Sequence, residues 1–490
     1  MELNEIRISN FRSVENLNIK LPIINGSTTY SLLGINESGK SSILHAISLL
    51  DMDTERIQYP NDYFNINSAV EVSAHYTFTD EDHKSLIEEL KKSEKFPKPL
   101  LSQIRVNSVI INCSYRANET ADLEICETVE FEKRIFDEYY EENGKILKTS
   151  ENSEVSQLDL QDYFNSYQEN YFYRTAHKVV LWKSSAKYLI LDDIDLKVFA
   201  AKPSNISIPL LNCFKLSGLK EKYIKSLDTE LNSSVKIANL ESKLSTKVSA
   251  YIKKVWPEHP ISVLFKINNN NISFLIEDKG VKYNAKTPRQ RSDGFRQFIS
   301  FLLTLSVENF NKELTNTILL IDEPETHLHP LAQHNLLKEL ISITQNDKNN
   351  LVIFATHSNY LIDKKNLERN FKVEKVKNSR TKITPIRKKE CSFAEVNYEV
   401  FKIPTTDYHN ELFGFIMLMD KTKLDNLPKC RKWYNEKKQK EDSVSQSEYI
   451  RHWIHHPENK RNQPVTDDAL KKSIDKLREL KSEIVNKNDS

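Results

Sequence analysis

Gly34-Ile35-Asn36-Glu37-Ser38-Gly39-Lys40-Ser41 is the stretch on which the reading of this 490-residue chain turns. It satisfies the spacing GxxxxGK[ST], and its surroundings are those the pattern needs. Before it, Tyr30-Ser31-Leu32-Leu33 is a short run of strand character. After it, Ile43, Leu44, Ala46, Ile47 and Leu50 recur at helical spacing. Strand, glycine turn and helix together make an anion cradle: the glycines let successive backbone N–H groups turn inward onto phosphate oxygens, and the helix adds its partial positive end. Lys40 supplies a mobile charge for the terminal phosphates. Ser41 offers a hydroxyl to magnesium, which prefers oxygen ligands in octahedral geometry. A chance glycine turn is the competing reading, and it does not account for the flanking strand and helix.

A second motif lies far downstream. Thr317-Ile318-Leu319-Leu320-Ile321-Asp322-Glu323 is an uninterrupted apolar strand ending in two carboxylates, the pattern of a central strand covered on both faces. At its end Asp322 is suited to hold a magnesium ion through water and Glu323 to polarise an attacking water as general base, after which Pro324 turns the chain out of the strand. The alternative is a buried strand that merely ends in surface acids. Leu351-Val352-Ile353-Phe354-Ala355-Thr356 is a further buried strand, and it delivers His357 and Ser358 to the same sheet edge. A lone histidine at a strand end is more often structural than functional.

Bulk properties bound the rest. The length suggests two to four packing units. With 70 basic and 69 acidic residues, net charge says nothing about partners. Locally, residues 364–389 carry eleven Lys or Arg against Glu368 and Glu374, while residues 137–142 (DEYYEE) are acidic. A solvated strand pair is the simpler reading of the basic run, with a nucleic-acid groove across a dimer as the alternative. Five scattered cysteines without a CxxC spacing point to reduced thiols and a cytoplasmic protein. No leader pattern opens the sequence and no run of about 18 apolar residues occurs, so no membrane partner is expected.

Short strands are predicted at residues 3–33, 69–78 and 108–117, the last two separated by a Lys- and Glu-rich helix. The predicted fold is α/β, with a mixed sheet interrupted by a helical insertion and followed by a helical C-terminal domain. Its boundaries are 1–130, first lobe segment; 131–260, helical insertion; 261–390, second lobe segment; and 391–490, C-terminal domain for docking a partner. In the last of these, Thr466, Asp467 and Asp468 are positioned to cap a helix whose Leu470, Ile474, Leu477 and Ile484 share one face.

Taken together, these residues resemble ABC-type P-loop ATPases of the SMC, RecF and OLD kind. ISNFRSVENLNI opens the chain as those proteins open, GINESGKSS follows, and IDEPETHLHP and FATHS close the lobe. The resemblance implies ATP and Mg2+ as cofactors. It places Arg12, Gly34, Asn36, Glu37, Ser38, Gly39, Lys40, Ser41 and Ser42 around the nucleotide, with Ser41 and Asp322 at the metal and Lys40, Glu323 and His357 as catalytic groups. Glu37 stands where SMC-type loops carry glycine, but its N–H group remains. Arg289-Gln290-Arg291-Ser292-Asp293-Gly294-Phe295 resembles the family's signature segment, in which Ser292 and Gly294 contact the nucleotide of a second subunit. Read alone, SDG is a helix N-cap. Gln58, in ERIQYPNDYF, is the candidate Q-loop residue.

No glutamate-bearing strand followed by a DxD strand is read after residue 362, so the TOPRIM nuclease of OLD proteins is not expected. VNYEVFKIPTTDYHNELFGFI and YIRHWIHHPENKRNQPVT are instead similar to the C-terminal parts of the PtuA-type ATPases of Septu and retron-associated anti-phage systems. That resemblance implies a homodimer or higher oligomer, a separately encoded HNH-type nuclease held in check until infection, and a place for nucleic acid such as retron RNA or DNA. Arg451 and His456 also resemble the R-x4-6-H element of HEPN ribonucleases, against which stands a plain helix end stopped by Pro457. A RecF-like repair ATPase is a third reading. His327 and His329 lack an evident third metal ligand and are taken as loop residues.

Overall fold

The computed structural model describes residues 1–51, 57–149, 157–168, 170–182, 187–256, 260–281, 284–291, 293–310, 315–326, 328–345, 349–376, 379–386 and 392–488. The chain divides into two compact units, Met1–Ile386 and Arg387–Ser490.

The first unit is built around a six-stranded sheet in the order Lys178–Trp182, Thr317–Asp322, Leu351–Thr356, Thr29–Leu33, Asn370–Lys375 and Thr381–Pro385. Every neighbouring pair is parallel except the last, which is antiparallel. Both faces of the two acid- and histidine-bearing strands are covered, which is why they read as unbroken apolar runs. Alternation divides them: Ile318, Leu320 and Ile353 join the core that holds Ile43, Leu44 and Ile47, whereas Leu319, Ile321 and Phe354 join a second core with Phe298, Ile299 and Leu340. Register then fixes the functional edge. Asp322 lies opposite Ala355, and Thr356 opposite Leu33, so the carboxyl ends of three strands emerge side by side.

A five-stranded antiparallel sheet adjoins this framework in the order Val14–Lys20, Glu2–Phe11, Val70–Thr77, Val106–Tyr115 and Leu123–Phe131. After the third of these the chain enters helix Asp80–Lys92 through a capping box in which Thr79 and Asp82 bond each other's backbone N–H groups.

The expected helical insertion, 131–260, is only partly helical. The acidic run 137–142 forms a hairpin, Tyr139–Glu142 with Lys145–Lys148, and Lys178–Trp182 is the edge strand of the central sheet, beside the Asp322 strand. That strand was hidden by its shortness and by the polar sequence around it. Its pairing partner lies far along the chain, and no local pattern reports such a pairing. Helix Ser234–Val255 packs on the hairpin Ile261–Asn268/Asn271–Asp278, whose Asn269-Asn270 turn takes positive φ at both residues, as a two-residue hairpin favours.

The second unit is helical, with Phe393–Phe401, Thr406–Met419, Lys421–Asp425, Gln446–His455 and Asp467–Asn488, but it also contains a hairpin, Arg431–Asn435/Lys440–Val444, where only helices were predicted. Thr466 Oγ1 accepts from the N–H of Ala469 at 3.3 Å. Leu470, Ile474, Leu477 and Ile484 are buried against Leu412 and Ile416. No helix among the described residues is long and apolar enough to cross a membrane.

Candidate nucleotide site

The loop between Thr29–Leu33 and helix Lys40–Ser48 is shaped by two positions that exclude a side chain. A Cβ on Gly34 would meet the Val373 carbonyl oxygen at 2.3 Å, and Gly39, at φ +104°, would meet Thr381 Oγ1 at 2.2 Å. Glu37 also has positive φ, 62°, so the residue that departs from glycine still takes a glycine-like backbone. Asn36 and Glu37 are exposed, Ser42 is half-buried and Ser38 is buried, its hydroxyl lacking a partner among the described residues. Lys40, 4% exposed, donates to the carbonyls of Gly34 at 2.9 Å and Ile35 at 3.0 Å. Burial lowers the Lys40 pKa, and the carboxylates of Glu323, Asp322 and Glu325 pull against that shift.

Ser41 Oγ lies 3.1 Å from Asp322 Oδ1, a contact spanning 281 positions of sequence. Asp322 ends its strand, and Glu323 follows at φ +48°, its N–H bonded to the Ala355 carbonyl and its own carbonyl accepting from Thr326 Oγ1. His357 Nδ1 stands 3.5 Å from Glu323 Oε1 and 3.4 Å from Glu325 Oε1. Glu325 was not foreseen. It is 2% exposed, and its Oε1 accepts from Thr356 Oγ1 at 2.5 Å and from the His357 N–H at 3.0 Å. Burial raises its pKa, and these two donors pull it back. The sequence showed a second acid two places after Glu323, but nothing local distinguishes a buried carboxylate from a solvated one.

Arg12, at φ +50°, donates through Nε to Asp62 Oδ1 at 2.7 Å, and Asp62 Oδ2 accepts from the Gln58 N–H at 2.8 Å. Asp62, also unforeseen, thus ties the Arg12 segment to the loop that bears the Q-loop candidate. Gly294 is in the first turn of helix Asp293–Phe310, while Ser292 lies outside the described residues. Arg291 is engaged by Asp278 at 2.7 Å. His329 caps helix Pro330–Thr344, Nδ1 accepting from Leu331 N–H, whereas His327 lies outside the described residues. In the second unit Arg451 and His456 have separate neighbours: the guanidinium sits 4.7 Å over the Phe413 ring, and His456 Nδ1 is 3.3 Å from Glu458 Oε1. His456 is itself the C-cap of helix Gln446–His455, as the plain helix-end reading has it.

The residues fit a nucleotide with a divalent ion. The cradle has no room for a Cβ at Gly34 or Gly39, and the Ser41 hydroxyl and Asp322 carboxylate are paired oxygens of the kind magnesium takes.

Comparison with known proteins places the chain in an ATPase family. Residues 1–362 match the family model described as AAA ATPase domain. An uncharacterized protein of Methanocaldococcus jannaschii is 31% identical over 140 residues, 28% of this chain and 35% of that protein. The Old nuclease of Escherichia phage P2 is 26% identical over 134 residues, 26% of this chain and 22% of the nuclease. The chain therefore spans about a third and a fifth of these relatives' lengths. Among solved structures, the SmcHead bound to the C-winged helix domain of ScpA aligns over 79% of this chain and 98% of its own, at 14% identity and a TM-score of 0.42. The SMC head domain from Thermotoga maritima aligns over 79% and 100%, at 11% identity and a TM-score of 0.35.

Proposed function

The chain belongs to the AAA ATPase domain family, and from that premise we propose that its ATPase site binds ATP and magnesium through Gly34–Ser42 and Asp322 and hydrolyses ATP with Glu323 as base. The observation that carries this reading is the approach of Ser41 to Asp322, with His357 beside Glu323. Ser41 and Asp322 would hold the magnesium ion, which would supply positive charge against the negative charge that develops in phosphoryl transfer. Lys40 holds the phosphates, Glu323 orients and deprotonates water, and His357 contacts the terminal phosphate. Arg12, fixed by Asp62, faces the nucleotide from the first strand pair.

Two copies sandwich two nucleotides, with Ser292 and Gly294 of one completing the site of the other. A helix N-terminus is suited to that contact, since its free N–H groups attract anions. Nucleotide state then sets the geometry of the dimer and regulates a separately encoded nuclease bound by residues 391–490, in defence against phage. What supports this part is the resemblance of residues 396–416 and 449–466 to anti-phage ATPase subunits.

Turnover by the purified protein tests the core of the reading. Lys40→Ala is expected to lose nucleotide binding. Glu323→Gln is expected to keep it while hydrolysis slows by about 100-fold or more. Unchanged turnover in Glu323→Gln removes Glu323 as the base. Co-purification with the product of a neighbouring nuclease gene tests the partner, and a lone protein with no such companion counts against it.

A further inference from the structure

We propose that Glu325 is the positioning residue of this hydrolytic centre: its buried carboxylate grips His357 by main chain and ring, fixing the imidazole with Nδ1–H inward and Nε2 on its open side. The proposal rests on the roles given above to Glu323 and His357.

Three groups converge on one oxygen. Glu325 Oε1 accepts from Thr356 Oγ1 and from the His357 N–H, and His357 Nδ1 stands 3.4 Å away. All three come from two consecutive residues at the end of strand Leu351–Thr356, so Glu325 is set to hold that strand end and the ring as one piece. Glu323 approaches the same Nδ1 at 3.5 Å, but its side chain is 39% exposed against 2% for Glu325. The exposed carboxylate is free to meet water, and the buried one is not. This is a division of labour between an orienting acid and a reacting one, as when a buried carboxylate sets the tautomer of a catalytic histidine.

The other oxygen of Glu325 argues the same way. Oε2 is buried without a hydrogen-bond partner among the described residues. A buried acceptor left unpaired is costly, so the hold of Oε1 on the Thr356 hydroxyl and the His357 N–H offsets a penalty that a purely structural cap has no reason to carry. A neutral imidazole carries one N–H. Two carboxylate oxygens beside Nδ1 place it there, which leaves Nε2, across the ring, for the nucleotide side of a half-exposed histidine.

Two measurements decide the matter. In protein labelled with 15N at histidine, the His357 signal is identified by its loss in His357→Asn. At pH 8 without nucleotide it is expected to report protonated Nδ1 and unprotonated Nε2, and the opposite tautomer overturns the proposal. This readout needs no change at Glu325 and does not depend on activity.

In steady-state kinetics Glu325→Gln is expected to lower kcat about 10-fold or more, with KM for ATP within about 3-fold, and to cost nothing further in a His357→Ala background. Native kcat, or an equal loss in both backgrounds, overturns it and leaves Glu325 a purely structural acid. Native turnover in Glu323→Gln sinks the assignment of the base instead, and the tautomer is unaffected by that result.

Discussion

A methyl group added to Gly34 points at a main-chain oxygen, that of Val373, whereas one added to Gly39 points at the Thr381 side chain from a backbone already at φ +104°. The backbone neighbour cannot rotate away, so Gly34→Ala is expected to displace the loop, costing about 1–3 kcal/mol and abolishing nucleotide binding. Gly218→Ala is the control: nothing lies within 4 Å and φ is +72°, so only left-handed strain of about 1–2 kcal/mol applies and nucleotide affinity stays native. Urea unfolding with nucleotide titration separates the two; equal affinity losses would mean that the Gly34 contact is not what shapes the cradle. These glycines were legible because the pattern GxxxxGK[ST] is itself a record of backbone geometry. Glu325 and Asp62 were not, because their roles arise from burial and from partners that meet only in the folded chain.

Elements show the same boundary between what a sequence states and what it leaves to folding. The strands Thr317–Asp322 and Leu351–Thr356 announced themselves, since a strand covered on both faces must be apolar throughout. Lys178–Trp182, an edge strand that opens on an exposed lysine, departs from that rule, and its place was set by pairing with Thr317–Asp322, which local periodicity cannot report. Helix Ser234–Val255 was legible as a helix, but not the way it seals the edge of Ile261–Asn268. Glu241, Ser245 and Ser249, spaced four apart, accept from the N–H groups of Ile267, Phe265 and Val263. Ser249 also donates to the Val263 carbonyl at 3.0 Å. Ser249→Ala therefore strips both Val263 backbone groups of their helix partner and is expected to destabilise the protein by about 1–3 kcal/mol. Faster amide exchange at Val263 would accompany it; an unchanged unfolding midpoint would show that water replaces the hydroxyl without loss.

At the scale of the whole molecule, each compact unit buries a histidine, and both respond to acid in the same direction. His177, in the first unit, is held down to about 4 by burial, the Met1 ammonium adding to that effect while hydrogen bonding to Asn349 as acceptor and the charge of Asp82 oppose it. His409, in the second, is held to about 4 by burial and by the Arg451 guanidinium, its Nε2 paired with Ser473 Oγ at 3.0 Å. In an unfolded chain a histidine titrates near 6.5. Between those values the unfolded state binds protons that the folded state refuses. Stability is therefore whole above about pH 6.5, falls as pH drops towards 4 and levels off below, each site contributing up to about 3 kcal/mol. Thermal unfolding at pH 7.5 and pH 5.0 is expected to show a clear loss at the lower value. His177→Gln and His409→Gln are each expected to shrink that loss, because the group that takes up the proton on unfolding is gone. An undiminished loss in both variants would mean that neither histidine is the source of the acid sensitivity.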